Sequence, residues 1–135
     1  VPTANPIGDA EAAVLALVNQ ERAKVGCAAL TTDPRLVDAA RAHSTDMANR
    51  NYFAHDTPEG VGVGTRVTEA GYRWSAVGEN IAKGQPDAAA VMKAWMNSPG
   101  HKANILNCRY RQIGVGLAFQ GRSPLWTRDF ATPLG

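Results

Sequence analysis

Gln112-Ile113-Gly114-Val115-Gly116-Leu117-Ala118-Phe119 is the stretch that decides how this chain folds. Ile113, Val115, Leu117 and Phe119 alternate with Gly114, Gly116 and Ala118, and a period of two belongs to a β-strand. The pattern predicts a half-buried strand with a second face of very small residues. Gln120-Gly121-Arg122-Ser123-Pro124 follows with the residue types that turns select. Leu125–Ala131 then reads as a returning strand, so the chain ends in a β-hairpin.

Upstream the period changes. Residues 1–8 carry two prolines, a glycine and no periodicity, and read as an extended N-terminal arm; residues 9–135 form one domain. Asp9 is placed to cap a helix with Glu11 in its first turn. Val14, Leu17, Val18 and Val25 fall on one face of that helix, and Gly26 stops it. Asp33-Pro34 starts a second helix, Asp as cap and Pro as first residue. Its stripe is Leu36, Ala40, His43 and Met47, and it fades near Asn49–Asn51. Tyr52 to Gly64 reads as loop, Thr65–Ala70 as a short helix ended by Gly71, and Val77–Ala82 as a short strand. Pro86-Asp87 opens a helix with an apolar face of Val91, Met92, Trp95 and Met96. Ser98-Pro99 stops it and starts a brief helical turn with Ser98 as cap. Helices first and a hairpin last predict an α+β domain with helices packed on an antiparallel sheet.

The bulk numbers narrow the function classes. A chain of 135 residues suits one domain, because two would each bury too little surface. No apolar run approaches the roughly 20 residues of a membrane span. The net charge of +2 is spread without a basic block, so nucleic acid is not an expected partner. The chain begins at Val1 without methionine, which fits a processed product. Cys27 and Cys108 are two buried thiols or one disulfide between the early and late chain. A disulfide closing so long a loop is worth about 4.5 kcal/mol in the chain-entropy picture and needs an oxidising compartment.

Three histidines are few enough to weigh singly. His43 lies on an apolar helical stripe and reads as a core histidine bonded to backbone. His55, beside Asp56, sits where a helix gives way to a loop, a favoured place for function. His101 sits in the first turn after Ser98-Pro99, where a helix N-terminus disfavours positive charge; a neutral imidazole is the metal-binding form. Glu79, among small and apolar residues of a strand, needs a partner: an Arg, a set of backbone amides or a metal. For His55, His101 and Glu79 the residues leave a structural role equally open. There is no HExxH helix and no GxSxG elbow, and Gly60–Gly64 lacks the context of a nucleotide loop. Composition and spacing give a fold class but no reaction.

Several segments resemble the bacterial branch of the CAP, or SCP-like, superfamily of cysteine-rich secretory, antigen 5 and pathogenesis-related proteins. They are His43-Ser44 with Asp46-Met47-Ala48, Tyr52 to Gly60, Ala70-Gly71-Tyr72, Gly78-Glu79-Asn80-Ile81-Ala82, Ala94 to Leu106, Ile113-Gly114-Val115-Gly116 and Trp126-Thr127. They stand in the family's order and cover nearly the whole chain from Asp9 to Ala131. The resemblance implies a three-layer α-β-α sandwich around a central antiparallel sheet. It also implies a cleft where His55, Glu79 and His101 converge. The second glutamate of many members has no counterpart in Trp95-Met96-Asn97-Ser98.

On this resemblance, His55, Glu79 and His101 are the expected ligands of a divalent metal, zinc first. Three protein ligands leave a position for water, which zinc can ionise near neutrality. The leading expectation is a secreted, monomeric binding module for a small extracellular ligand: a lipid, sterol or peptide. The alternative is a metal-dependent extracellular hydrolase, with Glu79 or metal-bound water as base. Ser98 as a nucleophile ranks below both, because a cap explains it and its loss then costs about 1 kcal/mol.

Overall fold

This computed structural model describes residues 6–134. Along the described chain run α1 (Pro6–Lys24), β1 (Thr31–Thr32), α2 (Pro34–Arg50), α3 (Val63–Glu69), β2 (Trp74–Lys83), α4 (Ala88–Met96), α5 (Pro99–Ile105), β3 (Gln112–Gln120) and β4 (Ser123–Pro133). The expected hairpin is the middle of the sheet: β3 and β4 pair antiparallel from Gln112 opposite Ala131 to Gln120 opposite Ser123. Antiparallel β2 flanks β4, and the two residues of β1 add in parallel to β3, giving the order β1-β3-β4-β2.

Helices cover both faces, as a three-layer sandwich requires. On one side Leu36, Ala39, Val67 and Tyr72 pack with Ala131. On the other, Val14, Val18, Trp95 and Ile105 meet Ile113, Val115, Trp126 and Phe130. The central strand β3 is therefore buried on both faces rather than half-buried. Its small face is what lets α2 lie close. A Cβ on Gly114 would land on the backbone of Leu36 and Val37, and one on Gly116 on the backbone of Ala40 and Arg41.

Asp33 caps α2 as expected, accepting from the Arg35 amide at 2.9 Å with Pro34 at the first helical position. Helix α1 departs from expectation at both ends. It begins at Pro6, a residue whose fixed φ suits a first turn, so residues 6–8 are helix rather than arm, and residues 1–5 lie outside the described residues. Asp9 sits inside the first turn, not at the cap. Val25 falls beyond the last helical residue and is 52% exposed. The buried stripe runs Glu11, Val14, Val18, Arg22, with a charge at either end. Glu11 pairs with Arg41 and accepts the Leu117 amide at 3.0 Å. Arg22 spends its guanidinium on the carbonyls of Ala28, Ile105, Asn107 and Tyr110, at 2.9–3.0 Å. That clamps the segment after α5 onto α1, and the disulfide Cys27–Cys108 closes the same junction.

Gly116→Ala is expected to destabilise the protein by at least about 1–3 kcal/mol, because helix backbone cannot yield as a side chain can. Gly100→Ala in α5, where the added Cβ meets open space, is expected to be neutral or stabilising by up to about 1 kcal/mol. Urea unfolding of both variants measures the contrast.

Candidate functional site

Strand β2 is an edge of the sheet, and the segments bearing His55 and His101 reach it from opposite faces. Its alternation sends Glu79 to the α2 side and Asn80 to the α5 side. The loop after α2 brings His55 over Glu79; α5 brings His101 over Asn80, whose amide donates to the His101 carbonyl at 3.2 Å. Asn104 of α5 completes the attachment, donating to the Glu79 carbonyl at 3.3 Å and to Asn80 Oδ1 at 3.0 Å.

Glu79 is the hub. Its side chain is 1% exposed, while that of His55, directly above it, is 51% exposed. His55 Nδ1 donates to Glu79 Oε1 at 2.9 Å. Arg66 of α3 grips the same carboxylate with both terminal nitrogens, each at 2.9 Å, and gives a further bond to the His55 carbonyl at 2.7 Å. Burial alone would push the Glu79 carboxyl upward, but His55, Asp129 and Arg66 outweigh it and hold it at about 2. Asp129, fully buried, lies opposite Glu79 in the β2–β4 register. Burial and the neighbouring carboxylate push it well above the usual range, so Asp129 keeps its proton and Glu79 carries the charge. The hydrogen bond to Glu79 raises His55.

His43 is a buried core histidine donating from Nε2 to the Ala54 carbonyl at 2.8 Å, as its place on the stripe implies. Burial lowers its pKa, partly offset by Glu79 at 4.0 Å. His101 is half-buried and also lowered, by burial and then by the charges of His55 and Arg128. Ser98 stands at the cap position of α5, but its hydroxyl makes no capping bond and instead meets His101 Nδ1 at 2.8 Å. It holds a ring where the sequence indicates a cap.

The sequence resemblance makes His55, Glu79 and His101 the expected three-ligand metal set. Among the described residues no group of three or more His, Cys, Asp and Glu side chains is placed to hold a metal. The reason is local: Arg66 and His55 already engage the oxygens of Glu79. A metal here would have to rest on the imidazoles, with Glu79 behind one of them as the carboxylate that orients a ligating ring.

Two residues central to this arrangement escape a reading of the sequence. Arg66 is one of the partner types Glu79 demands, but nothing in Thr65–Ala70 marks it as the one chosen. Asp129 follows Arg128 within an apolar strand, and alternation sends the two to opposite faces; that adjacent charge pair is the available signal.

An α-β-α sandwich with a histidine–glutamate cluster at the edge of its sheet defines the class. The sequence pattern of the Cysteine-rich secretory protein family, CAP, matches residues 15–130, and the chain belongs to that family. It is 43% identical over 120 residues to the uncharacterized protein YkwD of Bacillus subtilis, covering 89% of this chain and 46% of YkwD. Among solved structures it is similar to an extracellular SCP-domain protein of Bacillus anthracis, with a TM-score of 0.86 at 29% identity over 97% of this chain and 45% of that one. An outer surface protein of Borrelia burgdorferi shares the fold, with a TM-score of 0.87 at 19% identity over 93% of this chain and 94% of that one. The chain thus spans about half the length of the Bacillus relatives. No described helix is long and apolar enough to cross a membrane.

Glu79→Gln is expected to cost about 3–5 kcal/mol, because it leaves Arg66 buried without its counter-charge. In an NMR titration His55 should titrate above the ordinary 6.5 and His43 and His101 below it; the Gln variant should lower His55. The signs in linkage differ. The Glu79 contribution is present above the ordinary 4.5 and lost as pH falls toward about 2. That of His55 is present below 6.5 and lost as pH rises through its raised value.

Proposed function

We propose that this chain is a secreted, monomeric binding module that presents the imidazoles of His55 and His101 to a small extracellular ligand at the open edge of the sheet. One observation carries this reading. Each ring is anchored through Nδ1, by Glu79 in one case and Ser98 in the other, and among the described residues no hydrogen bond engages either Nε2. A buried ion pair beneath an exposed imidazole is costly if it serves only the fold, and it fixes the ring's direction and tautomer. The extracellular and outer-surface relatives support an extracellular setting.

Zinc is the ion this reading proposes as a facultative ligand of the two imidazoles. Bound there, it would supply a Lewis acid with positions open to water or to a donor group of a lipid, sterol or peptide. Glu79 would set the His55 ring and strengthen it as a donor without touching the ion.

Zinc titration followed by the ¹⁵N shifts of the histidine rings tests the reading. The expected result is a saturable change at His55 and His101, none at His43, and loss of binding in a His55→Ala, His101→Ala double variant. Glu79→Gln should weaken zinc about 10–100-fold. Undiminished affinity in the double variant would show that the ion binds elsewhere.

A further inference from the structure

The fold gathers arginines that the sequence scatters. Strands β2 and β3 both run antiparallel to β4, so the residues leading into them stand on either side of its last residues. Arg111 donates its amide to the Ala131 carbonyl at 3.0 Å. The Arg109 carbonyl accepts from Thr132 Oγ1 at 2.6 Å, and the Arg73 carbonyl accepts from the Leu134 amide at 3.1 Å. Three arginines from two distant segments are thereby attached along roughly 10 Å of one strand. All three are exposed, and among the described residues none takes part in an ion pair. Arg22 adds a fourth charge at this end. Its guanidinium is spent on neutral carbonyls, and burial, then the charge of Arg111, lower its pKa. The acids of the flanking segments are already matched, Glu21 by Lys24 and Asp33 by Arg35. The whole chain carries +2 and these arginines +4, so the rest of the molecule carries −2. Its positive charge is concentrated where β4 finishes.

The same end exposes apolar surface. The loop after α1 reads Val25-Gly26-Cys27-Ala28-Ala29, with Val25, Ala28 and Ala29 exposed. It is fastened beside the arginines at two points. Cys27 is bridged to Cys108, which adjoins Arg109, and the Thr31 amide donates to the Arg111 carbonyl at 3.2 Å. Leu134, which bonds Arg73, is exposed as well. Charge alone suffices to hold a soluble polyanion, and exposed apolar side chains add nothing to that. A bilayer with anionic headgroups uses both: cations meet its phosphates and apolar side chains enter the acyl boundary. The planar guanidinium, the cation at all four positions, suits phosphate oxygens better than a point charge does.

We infer that this end of the sheet docks on an anionic phospholipid bilayer, with Arg73, Arg109 and Arg111 on headgroup phosphates and Val25 and Leu134 at the acyl boundary. The surface uses none of the residues of the His55–Glu79–His101 cluster and needs no metal there.

The probe is vesicles of two parts phosphatidylcholine to one part phosphatidylglycerol, with pure phosphatidylcholine vesicles beside them, and binding is read by co-sedimentation. Binding to the anionic vesicles is expected to saturate with lipid, to fall steeply with added salt and to be absent from pure phosphatidylcholine. Arg73→Gln with Arg111→Gln should weaken it about 25-fold, about fivefold for each charge. Lys83→Gln with Arg122→Gln removes the same charge from the opposite end of the sheet and should change binding by no more than about twofold. Val25→Ser with Leu134→Ser should weaken vesicle binding at least about fivefold and leave the binding of soluble inorganic polyphosphate unchanged. All six positions are exposed, so the thermal unfolding midpoint should hold in each variant, and zinc binding at the His55–His101 edge reads out separately. Absence of binding to anionic vesicles, equal loss in the two charge-removal pairs, or vesicle binding that survives the loss of Val25 and Leu134 would each overturn the inference. Polyphosphate bound without vesicles would make this end a polyanion site instead.

Discussion

A buried carboxylate that cannot exchange its partners for water constrains everything around it. Glu79 is charged within the fold, and a lone charge there would be prohibitive. Arg66 neutralises it, and that requirement fixes where α3 must lie relative to β2. His55 takes the remaining bond, which pins a loop otherwise free of regular structure. Asp129, its cross-strand neighbour, cannot also be ionised so close by, and so stays protonated. One side chain on an edge strand thus sets a helix, a loop and a protonation state.

The opposite face of the sheet resolves a buried charge differently. Arg128 is wholly buried and faces no carboxylate among its hydrogen bonds. Its guanidinium lies 4.1 Å from the centre of the Trp95 ring and 4.8 Å from that of Phe130, and it contacts Met92 sulfur at 3.2 Å. Aromatic faces offer partial compensation, and burial drives its pKa down. The pairing of Asn80 with Arg128 beside that of Glu79 with Asp129 means the sheet carries a cationic residue on one face and acidic ones on the other, one position apart.

What the sequence discloses follows from the range of each interaction. The Asp33-Pro34 start, the Ser98-Pro99 restart and the glycine-lined strand are local, and local chemistry is written in consecutive residues. The small face of Gly114 and Gly116 even announces a close neighbour, though not that the neighbour is α2. The resemblance of the histidine and GEN segments brings His55, Glu79 and His101 together. Long-range polar pairing is what stays hidden. Arg22 continues an apolar stripe only because four carbonyls, three of them more than eighty residues away in sequence, await it. Arg66 meets Glu79 across thirteen residues with no period to betray it, and it engages both carboxylate oxygens.

The two faces of the sheet also give His55 and His101 opposite tendencies. His55 stands over an anionic carboxylate and is raised; His101 is lowered by burial and by the charges of His55 and Arg128. Between those two values His55 carries a proton that His101 lacks, and the edge then offers one cationic and one neutral imidazole. Divergent pKa values in neighbouring groups are what acid–base chemistry and polar recognition both require. A cation bound by both rings must first displace the His55 proton, so acid favours polar ligands and base favours metal. The choice between them is set beneath the surface, by which face of β2 each residue occupies.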